Sequence, residues 1–244
     1  MFHFIKKKVL LKDLIPSNHV DIHSHLLPGI DDGASTIEDT LMLTQALQEF
    51  GFEQCVTTPH IMTNVWDNTK GIIETTFQST IDVLKSQRKL SLRYGAEYMI
   101  DPYFTKLFQS EPLITLKENY VLVEISYLNP PIQLYNILFD LQVAGYRPVL
   151  AHPERYLYYH HHFHDYEKLK NAGCLLQLNL LSTVGYYGAA VAKTAEALLK
   201  KGMIDFVGSD VHHANHIQAF SNKVLLKDVS PLKKAIENNQ FFRW

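Results

Sequence analysis

Short apolar segments alternate with amphipathic helical segments along most of this chain of 244 residues. The predicted strands are one that begins at Val20 and those at 52–58, 92–97, 120–124, 147–151, 174–178 and 204–207. The predicted helices are 35–50, 69–89, 130–144, 166–172, 189–201 and 231–238. This alternation is typical of parallel β-α units, in which each helix carries the chain back to the same edge of the sheet. Seven strands in a chain of about 250 residues favour one α/β domain built as a barrel, which can be open or distorted.

Histidine and acidic side chains lie at the carboxyl ends of these predicted strands. His23 and His25 end the first strand, and their spacing of two residues points both side chains to the same side. The other candidates are Asp32 in the following turn, His60, Glu97, Glu124, His152, Asp210 and His212. A lone strand-end histidine commonly bonds to backbone, and a lone glutamate is commonly solvated. The whole set predicts a metal centre, because these strand ends meet at one face of a barrel and unpaired buried charges are costly.

The donor set contains only nitrogen and oxygen atoms. It therefore favours Mn²⁺, Fe²⁺ or catalytic Zn²⁺ over a structural zinc bound by thiolates. Nine donors are too many for one ion and predict two or three ions that share carboxylates, an arrangement that can clamp a phosphoryl group. Arg155 follows His152 by three residues and could offer a planar fork to phosphate oxygens. Its alternative role is a surface salt bridge with Glu154 or another acid.

Composition excludes several other classes of protein. A formal net charge of −2 predicts no general affinity for nucleic acids. No apolar run reaches the roughly 18 to 20 residues needed to span a bilayer and no secretory signal is found, so a cytoplasmic location is expected. Cys55 and Cys174 lie in apolar segments without nearby cationic groups, and both are predicted to pack in the core rather than to act as nucleophiles.

Four further segments have open interpretations. Residues 1–18 form a basic and apolar arm before a main domain at 19–244, and the arm either packs on that domain or contacts an acidic membrane surface or a partner. The cluster of His160, His161, His162 and His164 is an extra metal tract, a substrate rim or, as favoured here, a solvated loop or helix start. The loop 182–188 is a tight connection or a mobile rim. His213 and His216 are predicted to lie on a helix surface.

Several short motifs together carry a resemblance to a known superfamily. They are His-Ser-His at 23–25 with Leu-Pro-Gly-Ile-Asp-Asp-Gly at 27–33, Thr-Pro-His at 58–60, Gly-Ala-Glu at 95–97, Val-Glu at 123–124, Ala-His-Pro-Glu-Arg-Tyr at 151–156 and Ser-Asp-Val-His at 209–212. The chain resembles the polymerase and histidinol phosphatase (PHP) superfamily from Val20 to about Ser221. It looks most like the bacterial tyrosine-protein phosphatases of capsule and exopolysaccharide operons.

The resemblance implies a distorted (β/α)₇ barrel with a trinuclear, usually manganese-supported site. It implies a phosphatase that acts through a metal-bridging hydroxide on the phosphotyrosine tail of a membrane-bound tyrosine autokinase. The implied ligands are His23, His25, Glu97 and Asp210 for one ion, Glu97, Glu124 and His152 for a second, and Asp32, His60 and His212 for the third. Arg155 would bind phosphate, and His212 or a metal-bound water would be the general acid. The arm and the histidine cluster depart from the family pattern, so substrate docking and homo-oligomer contacts stay open.

Three alternatives remain for the function. The first is a phosphatase for histidinol phosphate or another small phosphomonoester, which would share the superfamily site. The second is a nuclease, which the lack of a basic groove disfavours. The third is a metal-stabilised module that binds a kinase without catalysis.

Overall fold

The computed structural model describes residues 9–85 and 90–244. Its strands are β1 (His19–Asp21), β2 (Phe52–Thr57), β3 (His60–Ile61), β4 (Ser91–Tyr94), β5 (Glu97–Met99), β6 (Tyr120–Glu124), β7 (Arg147–Ala151), β8 (Leu175–Asn179) and β9 (Phe206–Gly208). Its α-helices are α1 (Ile37–Glu49), α2 (Lys70–Lys85), α3 (Phe104–Ser110), α4 (Leu134–Val143), α5 (Phe163–Asn171), α6 (Ala189–Lys200), α7 (Ala214–Ala219) and α8 (Ser230–Asn238). Within this described part, no helix is both long and apolar enough to cross a bilayer.

The strands follow one another around a barrel in the order of the sequence. All pairings are parallel, in one sheet of order β1-β2-β4 and another of order β3-β5-β6-β7-β8-β9. Two residues separate β2 from β3 and two separate β4 from β5, so each pair continues one path and the barrel has seven paths. A bridge between Ser24 and Val211 joins the last path to the first, where the His25 N–H donates to the Val211 carbonyl at 2.9 Å. The predicted α/β fold, a distorted (β/α)₇ barrel in one domain, is confirmed.

Some strands and helices differ in their bounds from the predicted ones, either because of steric constraints or because the element is very short. The predicted strand 92–97 is interrupted at Gly95, where a Cβ would lie 3.2 Å from the side chains of Val56 and Thr58. Glu97 therefore begins β5 instead of ending a strand. Predicted helix 130–144 begins only at Leu134, after two prolines. The elements β3, α3 and α7 were missed because two to seven residues are too few to show a period.

The described part of the N-terminal arm belongs to the barrel's core. Leu11, Leu14 and Ile15 are buried in the same apolar cluster as Leu43 and Leu47 of α1. A backbone bridge between Leu10 and Lys223 holds the segment against the C-terminal region. Lys6, Lys7 and Lys8 lie outside the described residues, so the predicted membrane or partner contact of the arm stays a prediction.

Both cysteines are buried in the core, as predicted. Burial raises the pKa of the Cys174 thiol to about 12 and that of Cys55 well above its usual value. A buried thiol with a raised pKa is a poor nucleophile because little thiolate forms near neutral pH. The cysteines therefore act as small apolar side chains.

His19 is a buried histidine outside the predicted metal donors. Its ring is fully enclosed, contacts Phe52 edge to face at 4.8 Å between centroids, and has no hydrogen-bond partner for either nitrogen among the described residues. Burial lowers its pKa from 6.5 to about 3. The ring thus stays neutral in the folded state at pH values where the unfolded chain takes up a proton.

We expect His19 to make the protein less stable as the pH falls. Because its pKa is lower in the folded state, stability is full above pH 6.5 and is lost as the pH falls from 6.5 towards 3. Between pH 6.5 and pH 5 the free energy of unfolding should therefore fall by about 1.6 kcal/mol less in the His19→Phe variant than in the wild type. Urea unfolding at both pH values measures this difference. The His161→Phe variant, at an exposed position, is the matched control; equal pH slopes for His19→Phe and wild type would contradict the expectation.

Candidate metal centre

All nine predicted donor side chains lie together at one end of the barrel. Within each of four groups, the potential ligand atoms are within 4.8 Å of one another. The groups are His25, Asp32, His60 and His212; His23, His25 and Asp210; His23, Glu97 and His152; and His60, Glu97 and Glu124. Because His23, His25, His60 and Glu97 each belong to two groups, the four groups form one continuous cluster.

His23 and His25 face each other across the deepest part of this cluster. Their Nε2 atoms are 3.3 Å apart, and the Nε2 atom of His23 lies 3.1 Å from both Glu97 Oε2 and Asp210 Oδ1. The two rings are held from behind. Nδ1 of His23 lies 2.8 Å from Gln177 Oε1, and Nδ1 of His25 lies 2.8 Å from Asp31 Oδ2. Such partners fix the tautomer and the ring orientation, so that both Nε2 atoms are free to bind a cation.

Two glycines allow this close approach of strands and loops. A Cβ at Gly33 would collide with the backbone and side chain of His25, and a Cβ at Gly208 would collide with His23 and the Gln177 amide. Gly33 closes the turn that carries Asp32, and Gly208 ends β9 just before Asp210. Any other residue at these two positions would displace a donor.

Glu97 lies at the centre of the cluster. Its Oε2 atom is 3.1 Å from His23 Nε2, and its Oε1 atom is 3.1 Å from His152 Nε2. His60 Nδ1 lies 3.3 Å from Glu97 and 2.9 Å from Glu124 Oε1. The two oxygens of Glu97 thus face different imidazoles, so Glu97 could offer one oxygen to each of two groups of donors. Glu124 groups with His60, whereas the resemblance implied a shared ion with His152.

The third part of the cluster opens to solvent. The Asp32 carboxylate is 55% exposed, and its Oδ1 atom lies 3.5 Å from His60 Nε2 and 3.4 Å from His212 Nε2. The rings of His25 and His212 stack at 3.9 Å between centroids. This side of the cluster is the one that a ligand from solvent can reach.

Charge in the cluster is balanced between carboxylates and imidazoles. Burial opposes protonation of His23, but the carboxylates of Glu97 and Asp210 outweigh it and raise its pKa to about 10. Burial also acts to raise the pKa of Glu97, but the charges of His23 and His60 hold it well below its usual range. The carboxylates therefore need positive charge beside them, which a divalent cation can supply in place of protons.

Two buried atoms give a direct test of whether cations fit. His60 Nδ1 and Glu124 Oε1 are only 2.9 Å apart, yet neither makes a hydrogen bond of acceptable geometry within the described residues. Leaving buried polar atoms unsatisfied is unfavourable. One cation near both atoms would satisfy them together, and nitrogen and oxygen donors suit Mn²⁺, Fe²⁺ or Zn²⁺. The residues thus fit divalent metal ions.

The backbone is strained at two of the donors. His152 and Asp210 follow the ends of β7 and β9 with φ angles of 37° and 49°, in the left-handed region that non-glycine residues rarely adopt. Such a conformation costs about 1–3 kcal/mol per residue and is found mainly where function requires it. Here it turns both side chains from the strand ends into the cluster.

Arg155 lies at the edge of the cluster and pairs with Asp210. Its Nη1 atom donates to Asp210 Oδ2 at 2.9 Å, and its guanidinium lies between the rings of Tyr127 and Tyr187, 5.0 and 4.2 Å from their centroids. The alternative interpretation, an ion pair with Glu154 or another acid, is thus met by Asp210 rather than by Glu154. Asn179 Nδ2 donates to the same oxygen of Asp210 at 2.7 Å. The role of Arg155 in binding phosphate stays a prediction.

A cleft of about 360 Å³ gives access to the cluster. Its walls include Asp32, His60, His152, Arg155, Asp210 and His212, together with the aromatic rings of Trp66, Tyr127 and Tyr187. A phosphorylated aromatic group could place its phosphate on the cluster and its ring against these side chains. Tyr187 comes from loop 182–188, so this loop contributes to the rim of the cleft.

The sequence interpretation missed several supporting residues and misplaced one. Asp31 and Gln177 were not singled out, although a glutamine inside the apolar strand β8 was a usable signal. Asn179 and Tyr127 had no comparable signal, because their roles depend on contacts distant in sequence. Tyr187 belongs to loop 182–188, which was already a candidate rim segment.

The prediction for His216 was wrong. It is buried, at 6% exposure, and its Nδ1 accepts the backbone N–H of His212 at 3.2 Å, whereas His213 is exposed as predicted. In the histidine cluster, His161, His162 and His164 are exposed, and the His160 ring bonds to the Glu154 carbonyl at 2.7 Å. This cluster therefore lies mostly in solvent.

The fold and the cluster define a class of protein, namely the α/β barrels of the PHP type, which carry a polynuclear metal site at the carboxyl ends of their strands. A family model described as capsular polysaccharide synthesis, CpsB/CapC, matches residues 19–223. The chain belongs to this CpsB/CapC family.

Named relatives and a solved structure agree with this membership. The chain is 29% identical over 204 residues to tyrosine-protein phosphatase YwqE of Bacillus subtilis, covering 80% of this chain and 77% of the relative. It is 27% identical over 215 residues to putative tyrosine-protein phosphatase CapC of Staphylococcus aureus, covering 86% and 82%. A crystal structure from work on B. subtilis YwqE and Streptococcus pneumoniae CpsB, described as unique metal-dependent tyrosine phosphatases, matches with a TM-score of 0.76 at 27% identity, covering 82% and 84%.

We expect Asp31, which supports His25 from behind, to be needed for tight metal binding. The Asp31→Asn variant removes the negative charge from the partner of His25 and should weaken Mn²⁺ or Zn²⁺ binding about 10- to 100-fold. Chelator competition measures the affinity, and the circular dichroism of the metal-free protein shows whether the fold is kept. The Asp140→Asn variant makes the same change at an exposed position on α4 and should bind like the wild type. Unchanged affinity in Asp31→Asn would contradict this role.

Proposed function

We propose that this protein is a metal-dependent protein-tyrosine phosphatase, a phosphoric monoester hydrolase that acts in capsule or exopolysaccharide synthesis. The observation that supports it most is the convergence of nine metal donors beneath a cleft with aromatic walls. The named activity of the CpsB/CapC relatives supports the choice of phosphotyrosine among phosphomonoesters. The proposal needs no thiol chemistry, which agrees with the burial of both cysteines.

The proposed metal ligands are His23, His25, Asp32, His60, Glu97, Glu124, His152, Asp210 and His212. They would hold two or three divalent ions, with Mn²⁺ proposed first and Fe²⁺ or Zn²⁺ as alternatives that suit the same donors. When bound, such ions stabilise the charge of a phosphoryl group and make water a better nucleophile at neutral pH. Glu97 lies close to His23 and His152, and Asp210 lies close to His23 and His25. Each carboxylate could therefore serve more than one group of donors.

Arg155 is proposed to bind the phosphate. It lies in the wall of the cleft, and stacking between Tyr127 and Tyr187 limits the orientations of its guanidinium. A planar guanidinium held in this way can donate two parallel hydrogen bonds to phosphate oxygens and stabilise charge that develops on them. The hydrogen bond of Asn179 to Asp210 would keep that carboxylate in place when Arg155 turns to the substrate.

His212 is proposed as a metal ligand rather than as the general acid. Its Nδ1 atom lies 2.9 Å from the Asp210 carbonyl, a contact that places the ring proton on Nδ1. In the neutral ring, the Nε2 atom, which faces Asp32, then carries the lone pair that suits a cation, and a cation bound there would take the place of a proton. The phenolate of tyrosine is a stable leaving group, so the reaction depends less on a general acid than hydrolysis of an alkyl phosphate does.

The proposed substrate is the phosphotyrosine tail of a membrane tyrosine autokinase, and the chain would meet it at the cytoplasmic side of the membrane. Histidinol phosphate and other small phosphomonoesters are the alternative substrates, because the cluster itself does not discriminate between esters. The aromatic side chains of Trp66, Tyr127 and Tyr187 at the cleft favour an aryl phosphate. A kinase-binding module without catalysis would have no use for the complete donor set.

Removal of metal should abolish phosphatase activity. We expect a chelator to stop hydrolysis of a phosphotyrosine peptide and added Mn²⁺, Fe²⁺ or Zn²⁺ to restore it, because the donors alone cannot activate water. Phosphate release is the measurement, with histidinol phosphate and a phosphoserine peptide in parallel. The Cys174→Ala variant should remain active, since this thiol is buried. Bound metal without hydrolysis of any ester would favour a binding module, and faster turnover of histidinol phosphate would favour the small-substrate alternative.

The charge-conserving variant Arg155→Lys tests phosphate binding by the guanidinium. An ammonium keeps the charge but loses the planar fork and the stacking between two tyrosines. We expect kcat/KM for a phosphotyrosine peptide to fall about 100-fold, the typical cost of losing one positioned donor. Metal content, measured by elemental analysis, should stay unchanged. The same change at exposed Arg93, as Arg93→Lys, is the control; an equally active Arg155→Lys enzyme would exclude this role.

A further inference from the structure

A second and larger cavity adjoins the metal cleft. This groove, which we call the apolar groove, has a volume of about 1020 Å³ and lies at the carboxyl ends of β5 and β6. Its walls come from three segments, which are the turn after β3 (62–65), the start of α3 with the residues before it (99–106), and the loop from β6 into α4 (126–137). The groove is thus built from the same connections that form the face of the metal centre.

The walls of the groove are unusually apolar for a surface. The side chains of Leu128 and Ile132 are 87% and 102% exposed, and Val65 is 59% exposed. Exposed apolar side chains that line one concavity generally mark a binding site, because exposure of this kind is unfavourable when no ligand covers it. The volume is near the upper end of the range of about 300–1000 Å³ that is typical of ligand sites. The groove can therefore hold much more than a phosphate group.

The apolar groove and the metal cleft share walls. Met62, Val65 and Tyr127 line both of them. Tyr127 also contacts the metal donors, because its ring stacks on His152 at 5.8 Å between centroids and its hydroxyl lies 3.4 Å from the His152 ring nitrogens. A molecule whose phosphate reaches the cluster can therefore continue past Tyr127 into the groove without leaving the surface.

We propose that the apolar groove binds a large apolar side chain of the polypeptide substrate, adjacent to the phosphotyrosine. This inference rests on the proposed function and specifies its substrate as a peptide with an apolar residue beside the phosphorylated tyrosine. Because the groove adjoins the cleft, one extended peptide can occupy both sites at once. Burial of an aliphatic or aromatic side chain against Leu128 and Ile132 would supply affinity that a free aryl phosphate lacks.

The shape and position of the groove favour this occupant over two others. A second copy of the chain or a membrane would most naturally meet a broad convex or flat patch, whereas these side chains surround a concavity. Other exposed apolar side chains of α4, Phe139 and Val143, are 65% and 71% exposed and do not line the groove. Only a substrate peptide requires continuity with the cleft.

The test compares substrates and variants together. The substrates are pairs of phosphotyrosine peptides with Leu or Ser next to the phosphotyrosine, on either side, and p-nitrophenyl phosphate, which has no flanking residue. The enzymes are the metal-loaded wild type, the double variant Leu128→Ser/Ile132→Ser, and the control Val143→Ser, which changes an exposed aliphatic residue outside the groove. The measurement is kcat and KM for each combination.

We expect the wild type to prefer a Leu peptide over its Ser counterpart by about tenfold in kcat/KM, mainly through KM, as for a contact of about 1.4 kcal/mol. The double variant should lose this preference, whereas Val143→Ser should keep it, and p-nitrophenyl phosphate should be hydrolysed equally by all three. A wild type without preference, a preference kept by the double variant, or an equal loss on p-nitrophenyl phosphate would each overturn the proposal. A double variant that changes only the sedimentation of the protein would assign the groove to self-association instead. If no enzyme hydrolyses any aryl phosphate, the proposed function itself fails.

Discussion

Two buried carboxylates, those of Glu97 and Asp210, determine most of the structure around the active face. Carboxylates so far from water are tolerated only when positive charge lies directly beside them. His23, His25, His60 and His152 supply imidazole nitrogens on several sides, and Arg155 approaches Asp210 at the rim. The strand order, the left-handed backbone at His152 and Asp210 and the close approach at Gly33 all serve to bring these groups together. The barrel thus acts as the scaffold that keeps the negative carboxylates and the nitrogen donors next to each other.

The sequence predicted the barrel and the set of candidate donors because both depend on short local patterns. Each apolar strand that ends in His or in an acidic residue can be recognised from its own local sequence. In a parallel barrel the carboxyl ends of all strands lie at one face, so the donors are expected to meet there. Glu97 illustrates the limit of such reasoning. The structure places Glu97 within the cluster, although the strand before it ends at Tyr94 rather than continuing to Glu97. The close approach of Thr58 and Val56 to Gly95 has no local signature in the sequence. Local sequence patterns do not show which donors would share one ion, because that depends on distances between side chains of different strands.

The residues that were not identified from the sequence are mostly those that orient other side chains of the site. Gln177 and Asp31 orient His23 and His25. Asp31 lies in a segment whose composition is already explained by a turn, whereas the glutamine inside the apolar strand β8 was a signal that was not used. His216 was placed on a surface because its helix α7 is too short to show an amphipathic period. The apolar groove was not foreseen either, because Leu128, Ile132 and Val65 are single apolar residues in loops and become a surface only in three dimensions.

The ion pair between Arg155 and Asp210 has a consequence for metal binding. Together with the raised pKa of His23, it places positive charge from within the chain beside the buried carboxylates. Divalent ions bound beside these carboxylates would take the place of the imidazole protons, and Arg155 would then be free to pair with an anionic partner.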